Sequence, residues 1–575
     1  MNKIDIKKQT SNLLSSTVKK LTGLDFDVEI SVPSDLRKGD FSSNVAMVAF
    51  GQIKNKKLNL KSPMDLAEKI SKQLNSNSEL QENFGKIETA PPGFINFWLS
   101  TEALQRNIET ALSGFSNKHK NREVLFEFGQ QNPFKEPHIG HLRNLVLGES
   151  LARLLEFEGA KVHRVNYQGD VGLHVAKALW GLLEASPAKQ GFGQFSDMDK
   201  LSLEGKAKLL SEAYVRGASA FEKTDSAKKE IAEINNKLYQ KDSQLLEIWE
   251  KGRRWSLDYF EELYKRLDIK YDKYYFESVT APLGFGLVRE NGKVFEKDAG
   301  AYIFRGENYG LHTRVFVTKD GYSTYEAKDL ALAHLKDKDF SNYDLSLIMT
   351  ANEQVEYFKV LLKALTLVNK KIGEKTGHVS FGFVNLKDGK MSSRLGNVVS
   401  AFWLLSETQK ILKKGFKKVE NAVLEDLTIG AVKWAMLKFS RESNIAFSID
   451  ESVQIEGNSG PYMQYTYARI HSVLAKSSIT DFEANSVKNL GVEELALTRL
   501  ICQFEDVIFS AAHTFSPNLL TNYLFELAKV FNLFYEKEKI IGGADQEKRL
   551  ALTAATGEVL KKGLYLLGIS SPEKI

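Results

Sequence analysis

The stretch His138-Ile139-Gly140-His141 decides the fold of this chain. It follows a strand-like apolar run at residues 124–128 and opens a helix-like apolar stretch at residues 142–157. A glycine at such a place lets the backbone approach a nucleotide closely, and a helix N-terminus offers oriented N–H groups and a partial positive charge. The two imidazole rings add donors for phosphate oxygens. The stretch therefore predicts a phosphate-binding strand–turn–helix unit.

A second phosphate-directed element, Lys390-Met391-Ser392-Ser393-Arg394, follows much later in the chain. A lysine in such a loop neutralises the negative charge that develops on departing phosphates. Each string alone is weak, because short strings recur by chance in long sequences. Their occurrence together, in this order, predicts a nucleotide-dependent enzyme.

The composition is that of an ordinary globular protein. A chain of 575 residues, 43% apolar and 26% charged, is too long for one core. The net charge of +5 neither demands nor excludes nucleic acid, so an RNA footprint has to be a local basic patch. The single cysteine, Cys502, excludes an intrachain disulfide and makes a cysteine-rich zinc site untenable. The lack of an apolar run of about 18 residues predicts a cytoplasmic protein without a membrane partner.

Residues 1–118 are predicted to form a small α/β domain. Its clearest elements are a strand at residues 26–32, an apolar helix at 45–50 and a strand at 94–99. The last of these shows the alternation of apolar and polar residues that is typical of a strand.

The fold class predicted for residues 119–405 is α/β, with a doubly wound, Rossmann-like parallel sheet. Strand-like runs that alternate with helical patterns indicate such a sheet, and they lie at residues 124–128, 161–167, 345–350 and 380–385. A charged, mostly helical stretch at about 185–285 is interpreted as an insertion. Its lysines and glutamates favour a solvated helical face over a site.

From residue 406 to 575 the chain is predicted to be an all-α helix bundle. Amphipathic segments with few strand signals between them are typical of this architecture, and they lie at residues 424–440, 460–475, 493–514 and 519–535.

The segment before the two histidines has a more specific pattern. Glu127 is followed by Asn132, by Lys135 and then by His138. Together with the lysine-serine loop, this segment resembles the class I aminoacyl-tRNA synthetases and, within them, the arginyl-tRNA synthetases. The resemblance covers essentially the whole chain. It implies that L-arginine is activated with ATP and Mg²⁺ and is transferred to the 3′ end of tRNA(Arg), without zinc.

The resemblance implies an arginine pocket built around carboxylates, which suit the planar guanidinium of arginine. Glu127 would hold the α-amino group of the substrate, and Asn132 its carboxylate. Tyr325 and Asp329, four residues apart, would share a helix face, with Asp329 taking the guanidinium and Tyr325 lining the pocket. Taken alone, this stretch is compatible with an ordinary solvated helix start. Gln354 would complete the pocket.

The resemblance also implies how ATP is held and activated. Ser393 stands where the related enzymes have a second lysine, and Lys135 would take over its role. Arg394 would either help there or contact tRNA or solvent. The catalytic residues implied are Lys135, His138, His141 and Lys390, and the ATP-binding residues are His138, Gly140, His141, Lys390, Met391, Ser392 and Ser393.

Two further positions leave alternatives open. The loop at residues 166–174 resembles a loop that shapes the active site of the family, and His174 is compatible with a site residue or with a satisfied structural histidine. Tyr357 stands where family members often have a histidine for the adenosine, which leaves its contact with adenosine undecided.

The resemblance places tRNA contacts in both outer domains. Phe94 and Asn96 would read the elbow of tRNA, although Phe94 is equally compatible with core packing. Tyr462 and Tyr465 would stack on unpaired bases, and Arg469 would contact phosphate. Core packing is the alternative for the two tyrosines.

Several functional alternatives remain. One is a class I synthetase for another amino acid, of which cysteine is disfavoured because the resembling enzyme depends on zinc and this chain has one cysteine. Another is an RNA-binding paralogue without catalysis, against which His138, His141 and Lys390 argue. A third is a nucleotidyltransferase, which would not need the helical C-terminal part. We expect a monomer.

Overall fold

The computed structural model describes residues 3–33, 35–53, 60–117, 122–185, 198–387 and 399–575. Within these ranges, the fold consists of an N-terminal antiparallel sheet with helices, a central parallel sheet with helices, and a C-terminal group of helices. None of the helices in this part of the chain has both the length and the apolar character of a membrane span.

The N-terminal unit is a three-stranded antiparallel sheet packed against helices. Its core includes Phe41, Ile70 and Phe97, which are fully buried. The strands, which pair in the order first–third–second, are β1 (Phe41–Ser43), β2 (Phe84–Ala90) and β3 (Phe94–Leu99). The helices are α1 (Lys3–Thr22), α2 (Val45–Gln52), α3 (Pro63–Leu74), α4 (Ser78–Gln81) and α5 (Thr101–Leu112).

The predicted strand at residues 26–32 is wrong. In the described part of the chain this extended segment forms one isolated bridge, between Ser31 and Ser42. Its carbonyl groups instead accept hydrogen bonds from serine hydroxyls. For example, Ser15 Oγ donates to the carbonyl of Phe26 at 2.7 Å. The segment therefore lies along α1 and, within the described residues, pairs with the sheet at Ser31 alone. The helix and the second strand predicted for this unit are confirmed as α2 and β3.

The central unit is built on a five-stranded parallel sheet in which the order of the strands reverses in the middle. In chain order the parallel strands are β4 (Arg122–Glu127), β5 (Ala160–Gln168), β6 (Lys273–Phe276), β10 (Leu345–Ala351) and β11 (Thr376–Phe381). Between β6 and β10 the chain forms a small antiparallel sheet of β7 (Glu296–Asp298), β8 (Ala301–Phe304) and β9 (Arg314–Val317). The five parallel strands stand in the order β11-β10-β4-β5-β6. Ligands of such sheets bind beyond the carboxyl ends of the strands at the reversal, here between β4 and β10. The predicted doubly wound α/β class is confirmed.

Helices cover this sheet and extend from it. Helix α6 lies under the reversal point and is buried along most of its length. The helices are α6 (Ile139–Phe157), α7 (Leu173–Ala185), α8 (Leu203–Lys223), α9 (Asp225–Tyr239), α10 (Ser243–Arg266), α11 (Glu277–Glu290), α12 (Tyr325–Asp339), α13 (Val355–Val368) and α14 (Lys370–Lys375). Helices α8 to α10 make up most of the described part of the charged stretch interpreted as an insertion.

The single strand predicted at residues 380–385 is wrong, because the chain leaves the sheet at Gly382. There is no room for a side chain, since a Cβ at Gly382 would collide with the carbonyl oxygen of Ser443. The Gly382 N–H donates to the carbonyl of Arg441 at 2.9 Å. Beyond this point β12 (Val384–Leu386) pairs in parallel with β13 (Ile445–Phe447). This pair joins the central sheet to the C-terminal helices.

The C-terminal unit is helical, as predicted. Its helices are α15 (Ala401–Gly415), α16 (Asn421–Leu437), α17 (Ile449–Ser452), α18 (Gly460–Leu474), α19 (Val492–Ile501), α20 (Phe504–His513), α21 (Pro517–Lys537) and α22 (Gln546–Leu566). One helix predicted at residues 493–514 is in fact two, α19 and α20. The break falls at Cys502, which is buried in the core of the N-terminal unit.

Candidate active site

A cavity of about 830 Å³ opens where the strand order reverses, beyond the carboxyl ends of β4 and β10. It brings together residues that lie far apart in the sequence. The residues predicted for ATP or arginine that line it are Glu127, Asn132, His138, Gly140, His141, Tyr325, Asp329 and Gln354. Other lining residues include Asn144, Tyr167, Glu277, Glu353 and Phe358.

His138 and His141 cap the N-terminus of α6 with their side chains. His138 Nδ1 accepts the N–H of Gly140 at 3.1 Å, and His141 Nδ1 accepts the N–H of His138 at 3.2 Å. Because both Nδ1 atoms are acceptors, each neutral ring has its proton on Nε2. Burial, assisted by the positive charge of Lys135, lowers the pKa of His138 to about 4, and burial lowers the pKa of His141 well below its usual value. Two neutral N–H donors therefore stand at a helix N-terminus, an arrangement that suits phosphate.

The turn between β4 and α6 is held by two asparagines. Asn144 Oδ1 accepts the N–H of Gly129 at 2.8 Å, and Asn144 Nδ2 donates to the carbonyl of Met349 at 3.1 Å. Asn166 Oδ1 accepts the N–H of Gln130 at 3.0 Å. Gly129 has a φ of +100° and Gln130 one of +55°, values that side chains disfavour. The asparagine bonds thus hold an otherwise unfavourable turn and tie it to β10 and β5.

Besides the exposed Glu353, three carboxylates line the cavity, and two of these three are paired with lysines of one helix, α12. Lys336 Nζ lies 2.8 Å from Glu127 Oε2, with both side chains at most 3% exposed. Lys328 Nζ lies 2.6 Å from Glu277 Oε2, also buried. Among the described residues, Asp329 forms no ion pair with a lysine or arginine. Asp329 is therefore the carboxylate of this group whose charge a substrate cation can balance.

Asp329 is instead bonded to a tyrosine. Tyr357, in the first turn of α13, donates its hydroxyl to Asp329 Oδ2 at 2.6 Å. Burial raises the pKa of Asp329 to about 8, with the carboxylates of Glu127 and Glu277 adding to the rise and the Tyr357 bond opposing it. An empty pocket thus favours a protonated Asp329, and an incoming cation favours the ionised form.

Lys135 is the residue predicted for catalysis, among those described, that does not line the cavity. Its Nζ lies 4.2 Å from the centre of the Tyr214 ring, on helix α8. It remains close enough to the histidines for its charge to contribute to their lowered pKa values.

The second phosphate-directed element lies outside the described residues, so Lys390, Met391, Ser392, Ser393 and Arg394 stay predictions. The chain that follows it is bonded directly to the histidine motif. The N–H of Ile139 donates to the carbonyl of Val399 at 2.9 Å, and the N–H of Ala401 donates to the carbonyl of Pro137 at 2.8 Å. Leu386 and Val399 both line the cavity. The described residues on either side of this element, Leu386 and Val399, therefore both lie at the cavity.

The loop at residues 166–174 has a structural role in which His174 takes part. His174 Nε2 is 2.8 Å from the carbonyl oxygen of Gly169, and burial lowers its pKa to about 4. The neighbouring Asp170 is fully buried, accepting bonds from Ser278 Oγ at 2.7 Å and from Arg253 Nε at 2.9 Å. These contacts favour the structural interpretation of His174.

The residues predicted to contact tRNA in the N-terminal unit have different surroundings. Phe94 is 37% exposed, at the start of β3. Asn96 is buried, and its Oδ1 accepts the hydroxyl of Ser42 at 2.7 Å. Phe94 is thus available to a partner in this structure, while the Asn96 side chain is engaged inside the unit.

In the C-terminal unit, a cluster of aromatic rings surrounds Arg469. The guanidinium lies 5.2 Å from the ring of Tyr465 and 5.4 Å from that of Tyr535, and both rings are 40% exposed. Arg469 also donates to Asn532 Oδ1 at 2.7 Å, and Asn532 Nδ2 donates to the hydroxyl of Tyr462 at 2.8 Å. Tyr465 is therefore partly accessible to a partner, whereas the hydroxyl of Tyr462 is bonded within the cluster.

Sequence reasoning missed Glu277, Lys328, Lys336 and Asn144 as parts of the site. Glu277 and the lysines belong to charged helical stretches that resemble solvated faces, and Asn144 lies inside an apolar helix. The signal that was available for Lys336 is its spacing: it follows Asp329 by two helical turns, so the two side chains share a face.

Three family profiles match the chain. The profile "Arginyl tRNA synthetase N terminal domain" matches residues 6–99, "tRNA synthetases class I (R), catalytic domain" matches 105–449, and "DALR anticodon binding domain" matches 463–575. The parallel sheet, the two histidines that cap α6 and the match to the catalytic-domain profile define a class I aminoacyl-tRNA synthetase.

Relatives narrow the class further. Arginine–tRNA ligase from Lactobacillus delbrueckii subsp. bulgaricus is 31% identical, covering 96% of both chains. Arginine–tRNA ligase from Borreliella burgdorferi is also 31% identical, covering 99% of this chain and 97% of its own. In fold, the chain is similar to the crystal structure of arginyl-tRNA synthetase from Plasmodium falciparum, with a TM-score of 0.82 and 24% identity over 99% of both chains. The chain belongs to the arginyl-tRNA synthetase family.

Proposed function

We propose that the cavity between β4 and β10 joins arginine to AMP, and that the roles predicted from the sequence apply to its residues. Membership of the family makes the chain an arginine–tRNA ligase, which activates L-arginine with ATP and transfers it to the 3′ end of tRNA(Arg). The proposal concerns which residues do this.

The arginine side of the proposal rests on the distribution of charge in the cavity. Asp329 takes the guanidinium, because Glu127 and Glu277 are already paired with Lys336 and Lys328. Glu127 keeps lone pairs free for the α-amino group of the substrate, since each carboxylate oxygen accepts more than one bond. Asn132, Tyr325 and Gln354 line the same cavity and complete the pocket. The lack of an ion-pair partner for Asp329 among the described residues is the observation that carries the assignment.

The assignment of the ATP-binding residues rests on the N-terminus of α6, which His138 and His141 cap. In the first step a carboxylate oxygen of arginine attacks the α-phosphorus of ATP, the bond to the bridging oxygen breaks, and pyrophosphate leaves with the electron pair. His138 and His141 donate Nε2–H to phosphate oxygens beside the N-terminus of α6, with Gly140 allowing close approach. Lys135 and Lys390 neutralise charge on the leaving group, and Met391, Ser392 and Ser393 contact ATP. In the second step a ribose hydroxyl of tRNA attacks the arginyl carbonyl and AMP leaves.

The metal proposed to accompany ATP has no dedicated ligand cluster in the described chain. No group of three or more His, Cys, Asp or Glu side chains in this part could hold an ion. Mg²⁺ binds chiefly through phosphates and waters in nucleotide sites. We therefore propose that it enters bound to ATP, and no zinc is invoked.

The outer units are proposed to bind tRNA. We propose domains at residues 1–118 for the elbow, 119–405 for catalysis with a helical insertion at about 185–285, and 406–575 for the anticodon. The exposed rings of Phe94 and Tyr465 support contact with RNA, and Arg469, Tyr462 and Asn96 are proposed as members of these surfaces. A monomer in the cytoplasm stays a prediction; the buried thiol of Cys502 suits a reducing compartment.

Charging of total tRNA with a panel of amino acids tests the proposal. Arginine should be attached and citrulline should not, because the neutral side chain of citrulline cannot balance the carboxylate of Asp329. Lysine should not be attached either, because a single ammonium group does not reproduce the planar fork of the guanidinium. Charging with citrulline at a comparable kcat/KM would contradict the role of Asp329. Absence of any charging would favour the inactive paralogue.

A further inference from the structure

We propose that Tyr214, on the helical insertion, is a positioning residue that holds the ammonium group of Lys135 ready for adenylate formation. The inference rests on the proposed role of Lys135. It gives the insertion a part in the chemistry, although its charge pattern had favoured a solvated face.

The contact itself is a cation–π interaction. Lys135 Nζ stands 4.2 Å from the centre of the Tyr214 ring, within the range in which an aromatic face attracts an ammonium. Both side chains are half-buried, so the attraction is less screened than at an open surface. Burial is the main cause of the lowered pKa values of His138 and His141, and the positive charge of Lys135 in this position adds to the decrease. The ammonium group is therefore near enough to the N-terminus of α6 to act on the groups there electrostatically.

The backbone that carries Tyr214 is held in place, because its helix packs against α7 backbone to backbone. A Cβ at Gly181 would collide with the carbonyl oxygen of Ala213, and a Cβ at Gly217 would collide with that of Lys177. These contacts lock α8 to α7 on either side of Tyr214. Since α7 begins directly after the loop that shapes the cavity, the backbone at Tyr214 is connected to the site through α7.

The backbone of Lys135 is held by another helix of the insertion. The preceding residue, Phe134, has a φ of +69°, which a bulky side chain adopts only when its surroundings enforce it. Its N–H donates to Ser256 Oγ at 2.9 Å, and its buried ring fills the space beside Gly252 on α10. The insertion thus holds Lys135 at both ends, through Phe134 at the main chain and through Tyr214 at the ammonium.

Three substitutions at one position test the role. Tyr214→Leu removes the aromatic face and keeps an apolar side chain, Tyr214→Phe keeps the face, and Tyr214→Met replaces the leucine variant if that variant does not fold. The readout is the single-turnover rate of arginyl-adenylate formation in the presence of tRNA, with the KM for arginine. The leucine variant should be slower by about two- to tenfold, the phenylalanine variant should keep its rate, and the KM for arginine should not move.

The double variant with Lys135→Ala separates positioning from a general loss of structure. In the Lys135→Ala background, Tyr214→Leu should cause no further loss, because the group that it positions is gone. An equal loss in both backgrounds, or an unchanged rate in Tyr214→Leu alone, would overturn the inference. Val215→Ala, at an exposed neighbour on the same helix, is the matched control. A Lys135→Ala variant with full rate would instead refute the proposed role of Lys135.

Discussion

Tyr357 donates a hydrogen bond to Asp329 across 2.6 Å, linking the first turn of α13 to the second turn of α12 beside the cavity. The bond therefore places a phenol hydroxyl against a carboxyl group that lines the cavity. The bond occupies one side of Oδ2 and leaves Oδ1 for a substrate. It also opposes the rise in the pKa of Asp329 that burial causes.

Arginine affinity should rise with pH. The pKa of Asp329 is about 8 in the empty pocket, so below pH 8 the carboxyl group is protonated and must lose its proton when the guanidinium binds. The dissociation constant of arginine should fall by up to about tenfold per pH unit between pH 6 and 8 and level off above. Calorimetric titration in two buffers of different ionisation enthalpy would count the proton released. Asp329→Asn should bind more weakly by at least about tenfold and release no proton. A flat profile in the wild-type chain would contradict this account.

Tyr357→Phe should weaken arginine binding at pH 7. The substitution removes a bond that favours the ionised form of Asp329, so its pKa should rise further. A bond of this kind contributes about 0.5–1.5 kcal/mol, so the KM for arginine should increase about two- to twelvefold while the KM for ATP stays constant. Tyr357→His, with a ring N–H donor, should recover part of the affinity. An unchanged KM in the phenylalanine variant would show that the bond is structural only.

Lys336→Met should destabilise the protein and damage the arginine pocket. It leaves Glu127, 3% exposed, without its partner, and removal of one member of a buried pair costs about 3–5 kcal/mol. Denaturant unfolding of the catalytic unit would measure the loss. Lys336→Met combined with Glu127→Gln should regain much of the stability, because no unpaired charge remains. Lys338→Met, at an exposed lysine of the same helix, is the matched control.

Lys135→Ala should slow adenylate formation by about a hundredfold, by analogy with the loss of one preorganised donor to a transition state. If Lys135 replaces the lysine absent at Ser393, then Lys135→Ala with Ser393→Lys should recover part of the rate. Rapid-quench measurement of pyrophosphate release would give both values. Full activity of the single variant would remove Lys135 from catalysis.

Tyr465→Ala should raise the KM for tRNA without changing arginine or ATP binding. Stacking on one base contributes about 1–3 kcal/mol, and Tyr465 is 40% exposed beside Arg469. Tyr465→Phe should behave like the wild type. Tyr565→Ala, at an exposed tyrosine of the same unit with no predicted tRNA contact, should leave the KM unaltered. Equal effects of both alanine variants would indicate a general loss of structure.

Patterns within a few residues were enough to predict parts of the fold and of the site. The local pattern of His138, Gly140 and His141, which follow a strand and open a helix, predicted a site that they now line. Tyr325 and Asp329 also line the cavity, but their stretch alone is typical of a solvated helix start, and only the resemblance to the family predicted them there. Pairs made by tertiary packing left no such signal: Lys328 meets Glu277 across 51 residues, and Lys336 meets Glu127 across 209.

Two misassigned strands have the same origin. The alternation of apolar residues at 26–32 reflects burial of one side of the segment. Its carbonyl groups, however, bond mainly to serine hydroxyls and not to a neighbouring strand. The strand-like run at residues 380–385 is continuous in sequence. The chain leaves the sheet at Gly382, where the backbone of Ser443 lies so close that a Cβ would collide with it. In both cases the deciding partner lies elsewhere in the chain.

The lysine pairing on α12 limits how this stretch can change during evolution. Adding or deleting one residue in a helix rotates everything beyond it by about 100°. A one-residue insertion between Asp329 and Lys336 would leave Asp329 in place and rotate the Lys336 side chain away from Glu127. The pocket would then lose the ion pair of Glu127 although both residues were still present. We therefore expect lineages that keep this activity to vary the outer face of α12 freely and to preserve its length.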